Sequence, residues 1–177
     1  PTPLIEWAPI QPDPKGTGKL ITQYDMYSIT DEYGGVGLLK FDFLGIKNLA
    51  ILADAVKRVK AIRNEDIDIE NIPLDDSKTF AMLASGQTMG LFQLNGSGMT
   101  AFLKQLKPSS IHDINAMVAL YRPGPMESIP QYIERKHDAS LIRYLDPRLA
   151  KILDLSYGVI TYQDDVMMIS IELAGYS

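Results

Sequence analysis

The chain has 177 residues, 46% of them hydrophobic, with no Cys, two His and a formal net charge of −5. That length and apolar content can bury a real core and exclude a disordered tail, while no apolar run approaches the roughly 18 residues that cross a bilayer, so we expect a soluble, cytoplasmic chain with no membrane partner. The absence of Cys excludes disulfides and thiolate metal sites, two His are too few for a histidine-rich zinc site, and the acidic balance argues against a broad basic surface wrapped by nucleic acid.

The segment before residue 38 is rich in Pro and Gly and reads as a loop. Within it, Gly16-Thr17-Gly18-Lys19 falls short of a phosphate-binding loop, because Asp13 stands where that motif needs Gly and Leu20 where it needs Ser or Thr. Leu38 to Gly45 alternates and is expected to form a strand. Lys40 and Asp42 then share one face, and Leu39, Phe41 and Phe43 anchor the other in a core. After Gly45 the period lengthens to that of a helix, with Ile46, Leu49, Ala53, Val56 and Val59 on one face and basic residues in the last turn. A linker over Asn64 to Leu74 precedes a helix capped by Asp75 or Asp76. The Asn95-Gly96-Ser97-Gly98 turn opens another helix to about Leu106, and Ser109 or Ser110 caps a third that ends before Pro123. Further helices are expected over Pro125 to Lys136, Pro147 to Leu153 and Gln163 to Ala174. The fold class is α+β, predominantly α-helical, with short strands in the N-terminal third.

Basic residues cluster at Lys57-Arg58-Val59-Lys60, at Lys104 and Lys107, and at Arg135-Lys136-His137, so local basic faces are possible on an acidic chain. The first residue is Pro1 rather than Met, and Ser177 directly follows an apolar periodic stretch. We read the chain as a piece of a longer polypeptide.

Four constellations bear on chemistry. Asp66-Ile67-Asp68 puts two carboxylates at i and i+2, but it lies in a loop with no third ligand, and a solvated loop is the better reading. At Gly90 to Met99 a glycine turn opens a helix whose free N–H groups either bind phosphate or are capped by a local Ser. Arg122, held by Pro123 and Pro125, suits a phosphate or carboxylate met in fork geometry, or else forms a plain corner between helices. Tyr157 to Met167 is an apolar run that ends in polar groups, and Met167, Met168 and Ile171 read as core.

Taken in order, Leu39-Lys40-Phe41-Asp42-Phe43-Leu44-Gly45, Ile72-Pro73-Leu74-Asp75-Asp76, Phe92-Gln93-Leu94 with Ser97-Gly98-Met99, Arg122-Pro123-Gly124-Pro125, and Tyr157-Gly158-Val159-Ile160 with Tyr162-Gln163 form a specific set. With that order and spacing the chain resembles an internal piece of the bacterial DNA polymerase III alpha subunits, the C-family replicative DNA polymerases. The resemblance covers roughly Lys19 to Ser177. It implies that residues 1–45 are the C-terminal part of a catalytic palm and residues 46–177 the N-terminal part of a helical fingers domain.

By that resemblance Asp42 is the third catalytic carboxylate and a ligand of Mg2+ in a two-metal nucleotidyl-transfer site, whose other carboxylates lie upstream of this chain. Lys40 neutralises triphosphate charge, and Arg122 belongs to a substrate-binding motif of the fingers. The implied partners are primer-template DNA, deoxynucleoside triphosphates and, through other regions, replicase subunits such as the sliding clamp. Asn95 stands where the family usually has Glu, and Asp164-Asp165 where it has Glu-Gln. The alternative is a non-catalytic helical interaction module in which Lys40 and Asp42 form a surface ion pair.

Overall fold

Caps and turns, more than strand ladders, shape the computed structural model, which describes residues 2–177. It is mainly helical, with one two-stranded antiparallel sheet near the N-terminus. The chain divides into two compact units, one reaching Asp54 and the other covering Ala55–Ser177.

In the first unit, β1 (Ile10–Pro12) pairs with β2 (Leu20–Thr22), Gln11 opposite Ile21. The stretch that resembles a phosphate loop is the hairpin connection, closed on the Asp13 carboxylate. That group accepts from the Lys15 N–H at 3.0 Å and the Thr17 hydroxyl at 2.6 Å. Asp25 caps the single turn of α1 (Met26–Ile29) by accepting from the N–H groups of Tyr27 and Ser28. A 3₁₀ turn over Asp31–Tyr33 ends at Gly34, whose φ of 72° is left-handed.

The strand expected over Leu38 to Gly45 is absent. The Leu38 N–H donates to the Ile29 carbonyl at 2.9 Å, but the segment joins no ladder, because β1 and β2 form the sheet among the described residues. The expected anchoring fails with it. Phe41 is 72% and Phe43 96% exposed, so the apolar side of the alternation faces solvent.

Helix α2 (Lys47–Arg63) carries its cations Lys60 and Arg63 in the last turn, where the helix dipole favours them. The apolar face expected along it is only partly covered. Val56 and Val59 are half-buried, whereas Ile46 and Leu49 are exposed.

In the second unit Asp76 caps α3 (Ser77–Ser85), and Gly86, at φ 81°, ends it. Helices α4 (Ser97–Leu106), α5 (Ile111–Leu120) and α6 (Ile129–His137) follow, the last entered through a 3₁₀ turn over Pro125–Ser128. A short α7 (Ala150–Leu153) and α8 (Gln163–Ala174) complete it. The core gathers Leu83, Met99, Leu103, Leu106, Met117 and Leu120 around Ile129 and Tyr132. Each such side chain contributes about 1.5–3 kcal/mol by leaving water.

Asp113 sits inside this core with 0% exposure. One of its oxygens accepts from the N–H groups of Ser109 at 2.9 Å and Ser110 at 3.2 Å, and lies 3.3 Å from Lys136 Nζ. The other accepts from the hydroxyls of Tyr132 at 3.3 Å and Tyr157 at 3.4 Å. The Asp113 N–H in turn donates to Ser110 Oγ, closing a capping box at the start of α5. Tyr132 and Tyr157 also meet edge to face, their centroids 5.1 Å apart.

Helix α8 corrects another expectation. Its covered residues are Asp165, Ile169, Ser170 and Glu172, while Met167, Met168 and Ile171 are exposed. The helix is apolar on several sides, so composition alone did not select the buried flank.

Removing the Asp113 charge leaves the Lys136 ammonium almost buried and unpaired. Asp113→Asn is expected to destabilise the fold by about 3–5 kcal/mol, read from urea unfolding. Burial, and then the negative charge of Asp113, push the Tyr157 hydroxyl from its ordinary 10.0 up to about 12. The unfolded chain therefore loses this proton first. The resulting stability is complete below about pH 10 and is lost as the pH rises through about 12. Tyr157→Phe should flatten the fall in stability across that window, as measured by unfolding at a series of alkaline pH values.

Candidate functional site

Within the first unit the side chains of Lys40 and Asp42, two residues apart, meet, the side-sharing that alternation along the segment predicts. Lys40 Nζ lies 2.7 Å from both Asp42 carboxylate oxygens. The Asp42 side chain is 79% exposed, so the pair contributes at most about 1 kcal/mol to folding. This carboxylate is accessible and has little structural duty.

The fit of a divalent ion follows from the donors present. Among the described residues no group of three or more His, Asp or Glu side chains converges to hold a metal. Asp42 offers one hard oxygen donor, with Lys40 as its counterion. The residues of this chain do not make a metal site by themselves, since such ions take about six oxygen ligands. Asp66 and Asp68 serve the local chain instead. Asp66 pairs with Lys60, and Asp68 accepts from the Asn71 side chain and the Glu70 N–H.

Arg122 lies in the second unit, on a backbone whose shape is tightly prescribed. Helix α5 stops at Tyr121, which adopts φ −77° and ψ 68°. The Arg122 N–H donates to the Leu120 carbonyl at 2.8 Å, which makes an inverse γ-turn. Pro123 bars Arg122 from continuing the helix, and Gly124, at φ 96°, reverses the chain into the Pro125 turn. The Arg122 side chain is exposed.

The turn from Phe92 to Met99 adjoins this corner. Gln93 takes a left-handed φ of 61°, and Gly96 occupies the N-cap of α4 with no side chain to cap it. Ser97 falls inside the helix, so of the two readings left open by the sequence the local Ser cap is not made. Gly98 has a packing role that spacing alone did not reveal. A Cβ there would lie 2.3 Å from the Tyr121 hydroxyl, and the Tyr121 ring packs edge-on against Phe102 with centroids 6.1 Å apart.

The basic run Arg135-Lys136-His137 forms no open cationic face. Arg135 donates to the carbonyls of Tyr157 and Gly158, Lys136 is engaged by Asp113 and Ser109, and the His137 ring donates to the Gln105 carbonyl. Asp165 is also structural. Its carboxylate accepts from the N–H groups of Thr161 and Tyr162 at 2.8 Å each and starts α8. Sequence reading missed Asp113, although Ser110-x-x-Asp113 is a visible capping-box pattern.

A family model described as the bacterial DNA polymerase III alpha subunit finger domain matches residues 48–177. The chain is 47% identical over 175 residues to the DNA polymerase III subunit alpha of Staphylococcus aureus strain COL. It is 46% identical over 175 residues to that of Staphylococcus epidermidis strain ATCC 12228 / FDA PCI 1200. Each comparison covers 99% of this chain, which spans 16% of the length of these relatives.

Placing a methyl group at position 98 forces Tyr121 away from α4. Gly98→Ala gains up to about 1 kcal/mol of helix propensity and meets an overpacking cost of about 1–3 kcal/mol, so a net loss of about 1 kcal/mol is expected. The double variant Gly98→Ala with Tyr121→Phe removes the clashing oxygen and should recover most of it. Denaturant unfolding of Gly98→Ala, Tyr121→Phe and the double variant tests this coupling.

Proposed function

The chain belongs to the bacterial DNA polymerase III alpha subunit family, and from that membership we propose that it is part of a replicative DNA polymerase catalysing template-directed nucleotidyl transfer. The observation that carries this reading is 47% identity over 99% of the chain, a span that includes the accessible Asp42 carboxylate beside Lys40. Residues 1–45 are assigned to the end of the palm and residues 46–177 to the start of the fingers. The finger-domain match from residue 48 supports that assignment.

Asp42 is the catalytic residue and metal ligand of this proposal. Divalent ions, here Mg2+, supply Lewis acidity and charge neutralisation in such chemistry. Asp42 contributes one carboxylate to their site, and the reading requires further carboxylates from outside residues 1–177. The 177-residue chain alone is therefore expected to be inactive. Lys40 is assigned to the nucleoside triphosphate. In the observed state its ammonium already sits on Asp42, and a triphosphate would compete for the same cation. Arg122, stiffened by its turn and exposed, is assigned to substrate phosphate in fork geometry. Primer-template DNA and deoxynucleoside triphosphates are the substrates. The sliding clamp is reached through other parts of the protein, in the cytoplasm.

The surface pairing of Lys40 with Asp42 also suits a second reading, a non-catalytic helical interaction module. One substitution separates the two. In the full-length protein, Asp42→Asn is expected to reduce primer extension by about a thousandfold, equivalent to about 4 kcal/mol of transition-state stabilisation. It should shift unfolding by less than about 0.5 kcal/mol, because the group is exposed. Undiminished extension by the folded variant would overturn the polymerase assignment of Asp42 and favour the interaction module.

A further inference from the structure

The first unit contains an open cleft of about 640 Å³ that the proposed chemistry does not use, lined by Tyr24, Asp25, Tyr27, Ser28, Tyr33 and the Gly34–Val36 backbone. Tyr27 and Tyr33 meet edge to face with centroids 5.1 Å apart and rings 87° from parallel. All three tyrosines remain about half exposed, and the edge-to-face contact covers one face of the Tyr27–Tyr33 pair and leaves ring surface accessible in the cleft.

The cleft is held in shape by its backbone. The N–H groups of Gly34, Gly35, Val36 and Leu38 donate to the carbonyls of Asp31, Thr30, Ser28 and Ile29 at 2.9–3.0 Å. Gly35 permits this closure, since a Cβ there would lie 2.4 Å from the Ser28 carbonyl oxygen. The aromatic wall is thus preformed, which lowers the ordering cost of binding.

Charge selects the occupant. From Tyr24 to Gly37 the sequence carries Asp25, Asp31 and Glu32 and no Lys, Arg or His. Asp25 lines the cleft itself. The N–H groups of Ser28 and Tyr27 hold its carboxyl below the usual carboxylate range, so it stays ionised near neutral pH. Electron-rich ring faces beside fixed negative charge attract a planar cation and repel the phosphates of a nucleic acid.

We propose that the Tyr24, Tyr27 and Tyr33 cleft is a docking site for an arginine side chain presented by a basic segment of a partner protein. The guanidinium stacks on a tyrosine face while its N–H groups donate to Asp25, a combination that an ammonium satisfies less well. This proposal is independent of the nucleotidyl-transfer reading, because none of its residues is assigned to that chemistry.

The test is a titration of the full chain, isotopically labelled at tyrosine, with a blocked tri-arginine peptide, followed by NMR of the tyrosine rings. The Tyr27 and Tyr33 resonances are expected to shift saturably, with weaker binding to tri-lysine and a decline as salt rises. Tyr27→Leu with Tyr33→Leu should weaken tri-arginine binding about fivefold or more, whereas Tyr27→Phe with Tyr33→Phe should bind within about twofold of the parent. The Phe pair retains the packing and so controls for folding. Equal binding by the Leu pair, equal binding of the two peptides, or stronger shifts with a thymidine oligonucleotide than with tri-arginine would each overturn the proposal.

Discussion

The buried Asp113 carboxylate is the constraint on which the second unit depends. A charged group with no exposed surface is tolerated only when its lone pairs are filled and a counter-charge is near. Here both conditions draw on separate parts of the chain. The Ser109–Ser110 corner supplies backbone donors, α6 supplies Tyr132 and Lys136, and the turn after α7 supplies Tyr157. One carboxylate therefore fixes the start of α5, the rotation of α6 about its axis and the approach of residue 157. Apolar packing of Leu103, Leu106, Met117 and Leu120 contributes more free energy in sum, but it is less directional and would accept other arrangements.

From that hub the geometry spreads through the second unit. With α5 anchored at its first turn, its other end delivers Tyr121 to the start of α4, where the hydroxyl crowds Gly98. Arg122 follows immediately, on a γ-turn and directly before Pro123. Its backbone is positioned by core contacts although its side chain is exposed. Arg135, also on α6, holds the Tyr157 and Gly158 carbonyls. Arg135 and Lys136, which the sequence allows as a local basic face, are here engaged by carbonyls and a buried carboxylate.

The first unit follows a different logic. Its order comes from short-range carboxylate caps at Asp13 and Asp25 and from backbone bonds around Gly34–Val36, and its buried apolar content is small. Leu39, Phe41, Phe43 and Leu44 stay in solvent. Local hydrogen bonds can fix turns and a two-stranded hairpin, but they do not cover such a row of side chains. The same economy leaves the tyrosine cleft open and Asp42 accessible.

Much of the helical architecture was legible because its signals are local. Asp76 and Ser110 act through groups two to three residues away, and Pro123 bars a helix by its own ring, so these caps and this stop could be read from the chain. The pairing of Lys40 with Asp42 was equally local, because the two residues stand only two positions apart. Family membership was carried by the order of short motifs. Tertiary structure alone decided which flank of α8 is covered, that Lys136 and Arg135 serve the core, and that Gly98 makes room for Tyr121. It also decided that Leu38 to Gly45 is not a strand, because a ladder needs a neighbour and an alternating sequence specifies only one side of that bond.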